Sequence, residues 1–453
     1  MYRWELLEKK ECARSMAEHS CLMVVPVFPP RNTAGIFRTL RFCRYLPRFG
    51  WIPSVCTMNS TDSRDSDPEV FGLNPKSIIL RMGACSPVSF GETKSINERA
   101  NTSSMRQGAG VRGFRALLRP YRELLFETPD KYIGWANLVK RNSQLILDKV
   151  FPELIYSSGP PHSTHLAAMH IAKKSGLPWI ADFRDPWARL PWDVDRNPLG
   201  RKFIPRMERE VIQTAALVIL NNDSSRADFC EAYPNYTNKF EAIPNGIDPV
   251  TKNQIEEILK LHNREARNGP VTICHAGNLY GQRNPIAFLK AIAQLRRSGT
   301  QVRFRQIGPV DASFKAQELV NSLGIEDSIT FEPSVPHNQA LEAMAKSDIL
   351  LIIQPDASVM VPAKLFEMMV FKKPIIGVCD SPSTEQIIAD YGGFSAPSRD
   401  VEKIQSVIRH GIGQLEVDPE MQQKRIATCE RFDGVRLAGV LAGHMDRLVC
   451  QAN

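Results

Sequence analysis

Lys364 and Glu367 lie three residues apart near the start of a segment with helical periodicity that begins at Pro362. Proline suits the first position of a helix, because its missing N–H would have no partner there. Residues three apart share one helix face, and the first turn adds free backbone N–H groups and the positive dipole end. Such a turn can bind a ligand with phosphate and vicinal hydroxyls, such as those of a ribose. The alternative interpretation is a solvated surface ion pair.

A second candidate anion site follows residues 271–276, which predict a strand. The next residues form a glycine-bearing loop from Gly277 to Gly281, and Arg283 follows it. Asn284 can cap a helix that Pro285 opens, so the loop leads into a helix N-terminus that could bind an anion. The alternative is a loop whose glycines serve backbone geometry alone.

A third group of candidate residues, Asp182, Arg184 and Asp185, follows the short apolar segment 179–181, which predicts a buried strand. Polar loop residues that a rigid scaffold positions often bind ligands, so this loop is a candidate ligand-binding wall. An Asp–Arg–Asp network that merely holds the loop in place is the alternative, and both interpretations stay open.

The elements that must position these residues repeat in two halves of the chain. Residues 21–28 predict a strand, 36–46 a helix and 52–57 a second strand, a βαβ unit that implies a parallel sheet. The pattern restarts at 271 after a polar segment, 249–269, where we place the domain boundary. Open parallel sheets bind ligands at the carboxyl ends of their strands, where the candidate residues are expected.

Composition limits the possible functions. A chain of 453 residues predicts two domains, and 43% hydrophobic with 23% charged residues is typical of a soluble globular protein. The net charge of +8 suits an anionic ligand or an anionic membrane surface. No recognition-helix, zinc or RNA-binding motif is present, so nucleic acid is not an expected partner.

The sequence predicts a cytoplasmic protein without a metal site. None of the ten cysteines forms a CxxC pair, the longest apolar runs are too short to span a bilayer, and the first twenty residues do not resemble a signal peptide. The two Asp-x-Asp pairs, Asp65–Asp67 and Asp193–Asp195, do not directly follow an apolar strand and predict surface loops.

A basic, partly amphipathic segment spans residues 112–126. One interpretation is peripheral contact with anionic lipid or with a lipid-linked acceptor. The other is a helix packed on its own domain with a solvated arginine face. The basic residues are Arg112, Arg115, Arg119 and Arg122.

Three stretches resemble motifs of the GT-B glycosyltransferases, and most closely those of the retaining family 4 of bacterial sugar transferases. They are Ala-Asp-Phe-Arg-Asp-Pro-Trp at 181–187, Ile-Pro-Asn-Gly-Ile-Asp at 243–248 and Val-Pro-Ala-Lys-Leu-Phe-Glu at 361–367. The resemblance implies an α/β, GT-B fold of two Rossmann-like parallel-sheet domains that face a central cleft. It implies an acceptor domain at 1–248, a nucleotide-sugar domain at 249–430 and a helical segment at 431–453 that could return to the first domain.

The resemblance also implies an activity. Such enzymes move a hexose or related sugar from a nucleotide-diphosphate sugar to a glycan or lipid-linked acceptor, with retention and without metal or another cofactor, in cell-surface polysaccharide synthesis. The donor phosphate takes the proton of the acceptor, so no protein nucleophile is needed, and fixed cations and helix N-termini stabilise the leaving diphosphate.

Site residues are implied where this sequence matches the motifs. Asp182, Arg184 and Asp185 match a region that touches the donor sugar and are the expected catalytic residues. Those expected to bind the donor are Glu367 for the ribose, Lys364, Arg283, Gly277 and Asn278 for the diphosphate, Val335 with Ser334 and Pro336 for the base, and Gly35 with Thr33 and Ala34 for closure over the diphosphate.

One departure from the family pattern leaves two further functions open. Many members carry two glutamates eight residues apart, but Val359 stands eight residues before Glu367. The missing carboxylate is the one usually near the transferred sugar. The alternatives are therefore a non-catalytic nucleotide-binding protein of this fold and a GT-B nucleotide-sugar epimerase.

Overall fold

The computed structural model describes residues 18–30, 35–59, 67–83, 128–189, 198–261, 269–355, 360–416 and 419–452. Several residues discussed above lie outside the described residues: Thr33, Ala34, Asp65, Arg112, Arg115, Arg119, Arg122, Asp193, Asp195 and Val359.

Seven strands form the first sheet, in the order β3-β2-β1-β4-β5-β6-β7, and the pairs β1–β2, β1–β4 and β2–β3 are parallel. The predicted parallel sheet of the first half is therefore confirmed. Its central strands are buried, as expected for a sheet covered on both faces. The strands are β1 (His19–Val24), β2 (Trp51–Met58), β3 (Ile79–Met82), β4 (Leu154–Gly159), β5 (Trp179–Phe183), β6 (Leu217–Leu220) and β7 (Phe240–Ala242).

Six strands form the second sheet, in the order β10-β9-β8-β11-β12-β13, with every pair parallel. Both sheets follow the strand order of a Rossmann fold, in which the order reverses beside the first strand of the sheet. The strands are β8 (Val271–Ala276), β9 (Val302–Ile307), β10 (Ile329–Glu332), β11 (Ile349–Gln354), β12 (Ile375–Cys379) and β13 (Phe394–Ala396).

Alternate residues of β11 enter two different hydrophobic clusters. Ile349, Leu351 and Ile353 pack in one cluster, whereas Leu350 and Ile352 pack in the other. Because successive side chains of a strand point to opposite faces, both faces of the second sheet are covered. This burial explains why the strand is apolar throughout instead of alternating between apolar and polar residues.

The helices of the first half connect the strands of the first sheet or precede the second one. Leu441–Asn453, at the C-terminal end, belongs to the same compact unit as β1, and the Trp51 indole N–H donates to Asp446 at 2.7 Å. The helices of the first half are α1 (Ile36–Tyr45), α2 (Ile133–Arg141), α3 (Ser143–Val150), α4 (Ser163–Ser175), α5 (Pro198–Thr214), α6 (Asp223–Ala232) and α7 (Pro249–Leu261).

Helices alternate with the strands of the second sheet, and three further helices follow its last strand. None of the helices within the described ranges is both long and apolar enough to cross a membrane. They are α8 (Ile286–Arg297), α9 (Ala316–Leu323), α10 (His337–Lys346), α11 (Ala363–Val370), α12 (Pro382–Tyr391), α13 (Val401–Gly413), α14 (Pro419–Arg431) and α15 (Gly434–Ala452).

The chain divides into two compact units. The first comprises Met1–Asp182, Val194–Val218 and Leu441–Asn453. The second comprises Phe183–Asp193 and Ile219–Val440.

Three local predictions need correction. Asp182 lies on β5 and not in the loop after it, because the strand continues to Phe183. Pro285 and Pro362 each precede the first helical residue, at the N-cap position. At Pro362 the backbone is extended, with φ −62° and ψ 127°, as the N-cap conformation requires.

Candidate functional site

A glycine loop crosses the carboxyl end of β8. Gly277 has a φ of +148°, and its N–H donates to the carbonyl of Ile307 at 2.8 Å, where β9 ends. A Cβ atom at Gly277 would lie 2.5 Å from Nζ of Lys364. A Cβ at Gly308, where φ is +114°, would lie 2.8 Å from the Gly277 carbonyl oxygen. The backbone conformation favours glycine at both positions, and at Gly308 the close approach of a backbone oxygen also excludes a side chain.

Lys364 reaches this loop from the first turn of α11. Its Nζ donates to the carbonyl of Ala276 at 3.1 Å and lies 3.0 Å from Nε2 of His275. The loop follows β8, and α11 comes after β11, the neighbour of β8 in the sheet. The site thus lies where the strand order reverses, the position at which open parallel sheets bind ligands.

Two buried polar side chains, neither with exposed surface, support the lysine. The carboxamide nitrogen of Gln306 donates to the carbonyls of Gly277, at 2.7 Å, and Gly308, at 3.1 Å. Its carboxamide oxygen lies 2.7 Å from Nδ1 of His275. Residues His275 and Gln306 face each other in the register of β8 and β9, so sheet pairing itself brings them together.

The site carries positive charge without a matching carboxylate. Within the described residues, neither Lys364 nor Arg283 forms an ion pair, and the Arg283 guanidinium lies over the ring of Tyr280, 5.3 Å from its centroid. Burial, with a further contribution from the charge of Arg283, lowers the pKa of Lys364 to about 7. Adjacent cations and free N–H groups of the α11 first turn form an arrangement that suits an anion.

Glu367 lies one turn further along α11 and is partly exposed. Its Oε2 lies 3.3 Å from Nε2 of His337, the first residue of α10. The hydrogen bond with Glu367 raises the pKa of His337. Val335, in the loop before α10, is partly buried against the hydrophobic cluster that contains α11. The structure therefore brings Glu367 and the loop of Val335 together on the face of α11 that also carries Lys364.

Asp182 is the centre of a buried network in the first unit. Its carboxylate accepts two hydrogen bonds from Arg38, at 2.8 and 2.9 Å, and one each from Tyr156, at 2.5 Å, and Ser158, at 2.8 Å. Burial alone would raise the pKa of Asp182, but Arg38 and the two hydroxyls outweigh it and keep this pKa below 3.8. A carboxylate that accepts four hydrogen bonds and has no exposed surface can hold the end of β5 in place. Arg184 is the first residue after this strand.

Arg184 and Asp185 are partly exposed, whereas Pro186 and Trp187 beside them are buried. A buried pair after two polar residues anchors the segment and fixes where those residues emerge. Arg189, just beyond, packs over the ring of Phe229 and forms an ion pair with Asp228 at 2.7 Å.

The predicted donor-binding residues fall into two groups. Gly35 lies in the first unit, as the N-cap of α1 with φ −71°. The others all lie in the second unit. Asn278 is exposed in the glycine loop. Gly277, Arg283 and Lys364 lie close together, since Nζ of Lys364 approaches Gly277 and the charge of Arg283 acts on Lys364. Where the chain is described, no three His, Cys, Asp or Glu side chains cluster as metal ligands would.

Comparison with known proteins supports the fold that the strand order indicates. Residues 258–427, which include Gly277, Arg283 and Lys364, match the family Glycosyl transferases group 1. A search of curated protein sequences finds no relative of the chain. Solved structures share its fold at low sequence identity.

Three of these structures are similar to this chain over almost its whole length. Sucrose-phosphate synthase from Thermosynechococcus elongatus is 14% identical, with a TM-score of 0.65 over 96% of this chain and 100% of that one. HepE of Anabaena in complex with UDP-glucose is 14% identical, with a TM-score of 0.59 over 94% and 99% of the two chains. WaaG, a glycosyltransferase involved in lipopolysaccharide biosynthesis, is 15% identical, with a TM-score of 0.54 over 93% and 98%.

The predicted fold class is thereby confirmed. The chain has the GT-B fold of glycosyltransferases, and its residues 258–427 match the group 1 glycosyl transferases.

Proposed function

We propose that this protein is a glycosyltransferase that moves a sugar from a nucleoside-diphosphate sugar to a glycan or lipid-linked acceptor, with retention and without a metal ion. The observation that carries the proposal is the cationic site of the second unit. Lys364 and Arg283 lie there without a carboxylate partner in the described part of the chain, beside a loop whose backbone at Gly277 has the positive φ that favours glycine.

The diphosphate of the donor fits this arrangement. The lysine, the arginine and the N–H groups at the start of α11 would hold its oxygens and stabilise the charge that develops as the sugar leaves. Since these are fixed cations, they supply the neutralisation that a metal ion gives in other transferases. Glu367, one turn away, would accept hydrogen bonds from the ribose hydroxyls in place of His337. The loop of Val335, next to His337, would then face the base.

Roles for Asp182 and for the two polar residues that follow β5 are part of the same proposal. Arg184 and Asp185 are the partly exposed polar residues of their loop and would contact the sugar or the acceptor. Asp182 would act as a positioning residue, because its carboxylate is already bound by Arg38, Tyr156 and Ser158. The acceptor's proton would pass to a phosphate oxygen of the donor, so this chemistry needs no general base from the protein.

The neighbours in fold support the choice of donor and pathway. A complex of HepE contains UDP-glucose, and WaaG takes part in lipopolysaccharide biosynthesis. By analogy we propose a UDP-sugar as donor and cell-surface polysaccharide synthesis, in the cytoplasm, as the process. A peripheral membrane contact through Arg112, Arg115, Arg119 and Arg122 remains a proposal from the sequence alone.

The test is turnover of a panel of UDP-, GDP- and ADP-sugars by the purified protein in EDTA. We expect slow release of one nucleoside diphosphate without acceptor and faster release with extracts of lipid-linked glycans, with the anomeric configuration of the donor kept in the product. Conversion of the free nucleotide-sugar into its epimer would indicate an epimerase instead. Binding without release under any of these conditions would favour the non-catalytic alternative.

A further inference from the structure

The hydrogen bonds of Gln306 determine which nitrogen of His275 carries the proton. Its carboxamide nitrogen already donates to the carbonyls of Gly277 and Gly308, so the carboxamide oxygen faces Nδ1 of His275 as an acceptor. Nδ1 must then be the protonated nitrogen. The remaining nitrogen, Nε2, therefore presents its lone pair to Nζ of Lys364 at 3.0 Å.

This geometry keeps the imidazole neutral. A protonated ring would direct a second N–H at the Lys364 ammonium, and neither His275 nor Gln306 has surface exposed to water. Burial, and secondarily the charge of Lys364, lowers the pKa of His275 well below its ordinary value. The histidine thus acts as a hydrogen-bond acceptor and not as a second cation.

The groups that face Lys364 do little to keep it charged. From β8 they are the neutral His275, the carbonyl of Ala276 and the buried thiol of Cys274, whose pKa burial raises to about 11. Arg283, just after the glycine loop, carries a positive charge that disfavours a second one on Lys364. Burial is the larger effect, and together these lower the pKa of Lys364 to about 7.

We propose that His275, held by Gln306, is a positioning residue that aims Lys364 at the anion site, and that Lys364 takes up a proton when a nucleoside diphosphate binds. The inference rests on the proposed function, since it names what that same site does on binding. The arriving diphosphate supplies the negative charge that the empty site lacks, which favours the ammonium form of the lysine. Binding would therefore be coupled to protonation, and affinity would fall as pH rises above neutrality.

Calorimetric titration tests the proton uptake directly. The wild-type protein is titrated at pH 8 with whichever of UDP, GDP and ADP binds, in HEPES and in Tris, whose ionisation enthalpies differ. With a lysine pKa near 7, we expect uptake of about 0.9 proton per bound nucleotide at pH 8 and about 0.5 at pH 7. We also expect Kd to rise about tenfold between pH 8 and pH 9.

Two variants assign the proton to this lysine. Lys364→Arg should bind without uptake, because arginine is protonated in both states. Lys290→Met, which removes an exposed lysine on α8, should keep the full uptake. Binding by the wild type with the same apparent enthalpy in both buffers would overturn the inference and leave the proposed function intact. Failure of all three nucleotides to bind would overturn both.

A matched pair of substitutions tests the positioning role of His275. His275→Asn keeps an amide N–H where Nδ1 meets Gln306 but leaves nothing to accept from Lys364. His275→Gln places an acceptor oxygen near the former Nε2. We expect the asparagine variant to bind about tenfold more weakly and the glutamine variant to bind within about threefold of the wild type. Equal loss in both variants, with unchanged proton uptake, would contradict a role through Lys364.

Discussion

Nζ of Lys364 lies 3.0 Å from Nε2 of His275, a buried and neutral acceptor, and has no carboxylate partner among the described residues. A structural lysine in a protein interior is normally paired with a carboxylate, because an unpaired buried charge is costly. This lysine instead lies one turn of helix before Glu367, with its Nζ close to the backbone of Gly277. The arrangement is suited to an anion that arrives with the ligand.

The first prediction concerns the two glycines of the loop after β8. Gly277→Ala should lower nucleotide affinity at least tenfold and destabilise the second unit by about 1–3 kcal/mol, because its Cβ would meet Nζ of Lys364 in a strained backbone. Gly281→Ala is the matched control, since φ there is also positive but nothing lies within 4 Å. It should cost stability but leave Kd unchanged. Isothermal titration and thermal unfolding measure both effects, and equal Kd values for the two variants would contradict the clash.

The second prediction concerns Glu367 and His337. Glu367→Gln should weaken nucleotide binding by about 1–3 kcal/mol, since charged hydrogen bonds to the ribose hydroxyls would be lost. His337→Asn removes the present partner of Glu367 and should leave affinity equal or improve it. An unchanged Kd in folded Glu367→Gln would remove this residue from the site.

The same pair predicts a pH dependence of stability. Because the folded state raises the pKa of His337, the pair contributes stability below the ordinary histidine pKa of about 6.5. That contribution is lost as pH rises through the raised value. The unfolding free energy of His337→Asn should therefore differ from wild type more at pH 6 than at pH 9. The difference is small, because the pair is partly exposed. The opposite trend would contradict the assigned pair.

The fourth prediction separates a positioning role of Asp182 from a catalytic one. Asp182→Asn should destabilise the first unit by about 3–5 kcal/mol, because Arg38 would keep its buried charge and lose the carboxylate with which it forms an ion pair. The double variant Arg38→Met, Asp182→Leu removes both charges and should recover most of that loss in chemical denaturation. Recovery of sugar transfer along with stability would support positioning. A stable but fully inactive double variant would assign Asp182 to the chemistry itself.

Lowering the pH should weaken the ion pair between Asp182 and Arg38. The folded state holds the pKa of Asp182 below 3.8, so its ion pair contributes stability above that pH and loses it as pH falls further. Wild-type stability should therefore decrease below about pH 4, and the double variant should decrease less. Equal acid sensitivity would mean that other carboxylates dominate.

The fold was largely predictable because buried parallel strands are continuous apolar runs. Residues 271–276 were predicted as a strand with the bounds that the structure has. Lys364, Arg283 and Gly277 were also predictable, since charged residues and glycines at strand-to-helix turns are visible locally. Whether these residues bind a nucleotide stays a prediction.

Several supporting residues were missed for a physical reason. Arg38 and Asp182 are 144 residues apart, so only the folded sheet shows that they meet. Asp182 was placed in a loop because its charge ended the apolar pattern of the strand. His275 and Gln306 are likewise absent from the predicted site, although each is the fifth residue of its strand. A polar residue at the same position of both strands was the available sign.

The most direct test of the account compares nucleotide binding by wild type, Lys364→Met and Lys290→Met. We predict that one of UDP, GDP and ADP binds the wild type and the Lys290 variant equally, in EDTA. Loss of a charged hydrogen-bond donor should weaken binding to Lys364→Met by about 1.5–3 kcal/mol. Equal affinity in all three proteins, or no binding in a folded wild type, would contradict a nucleoside-diphosphate site at Lys364.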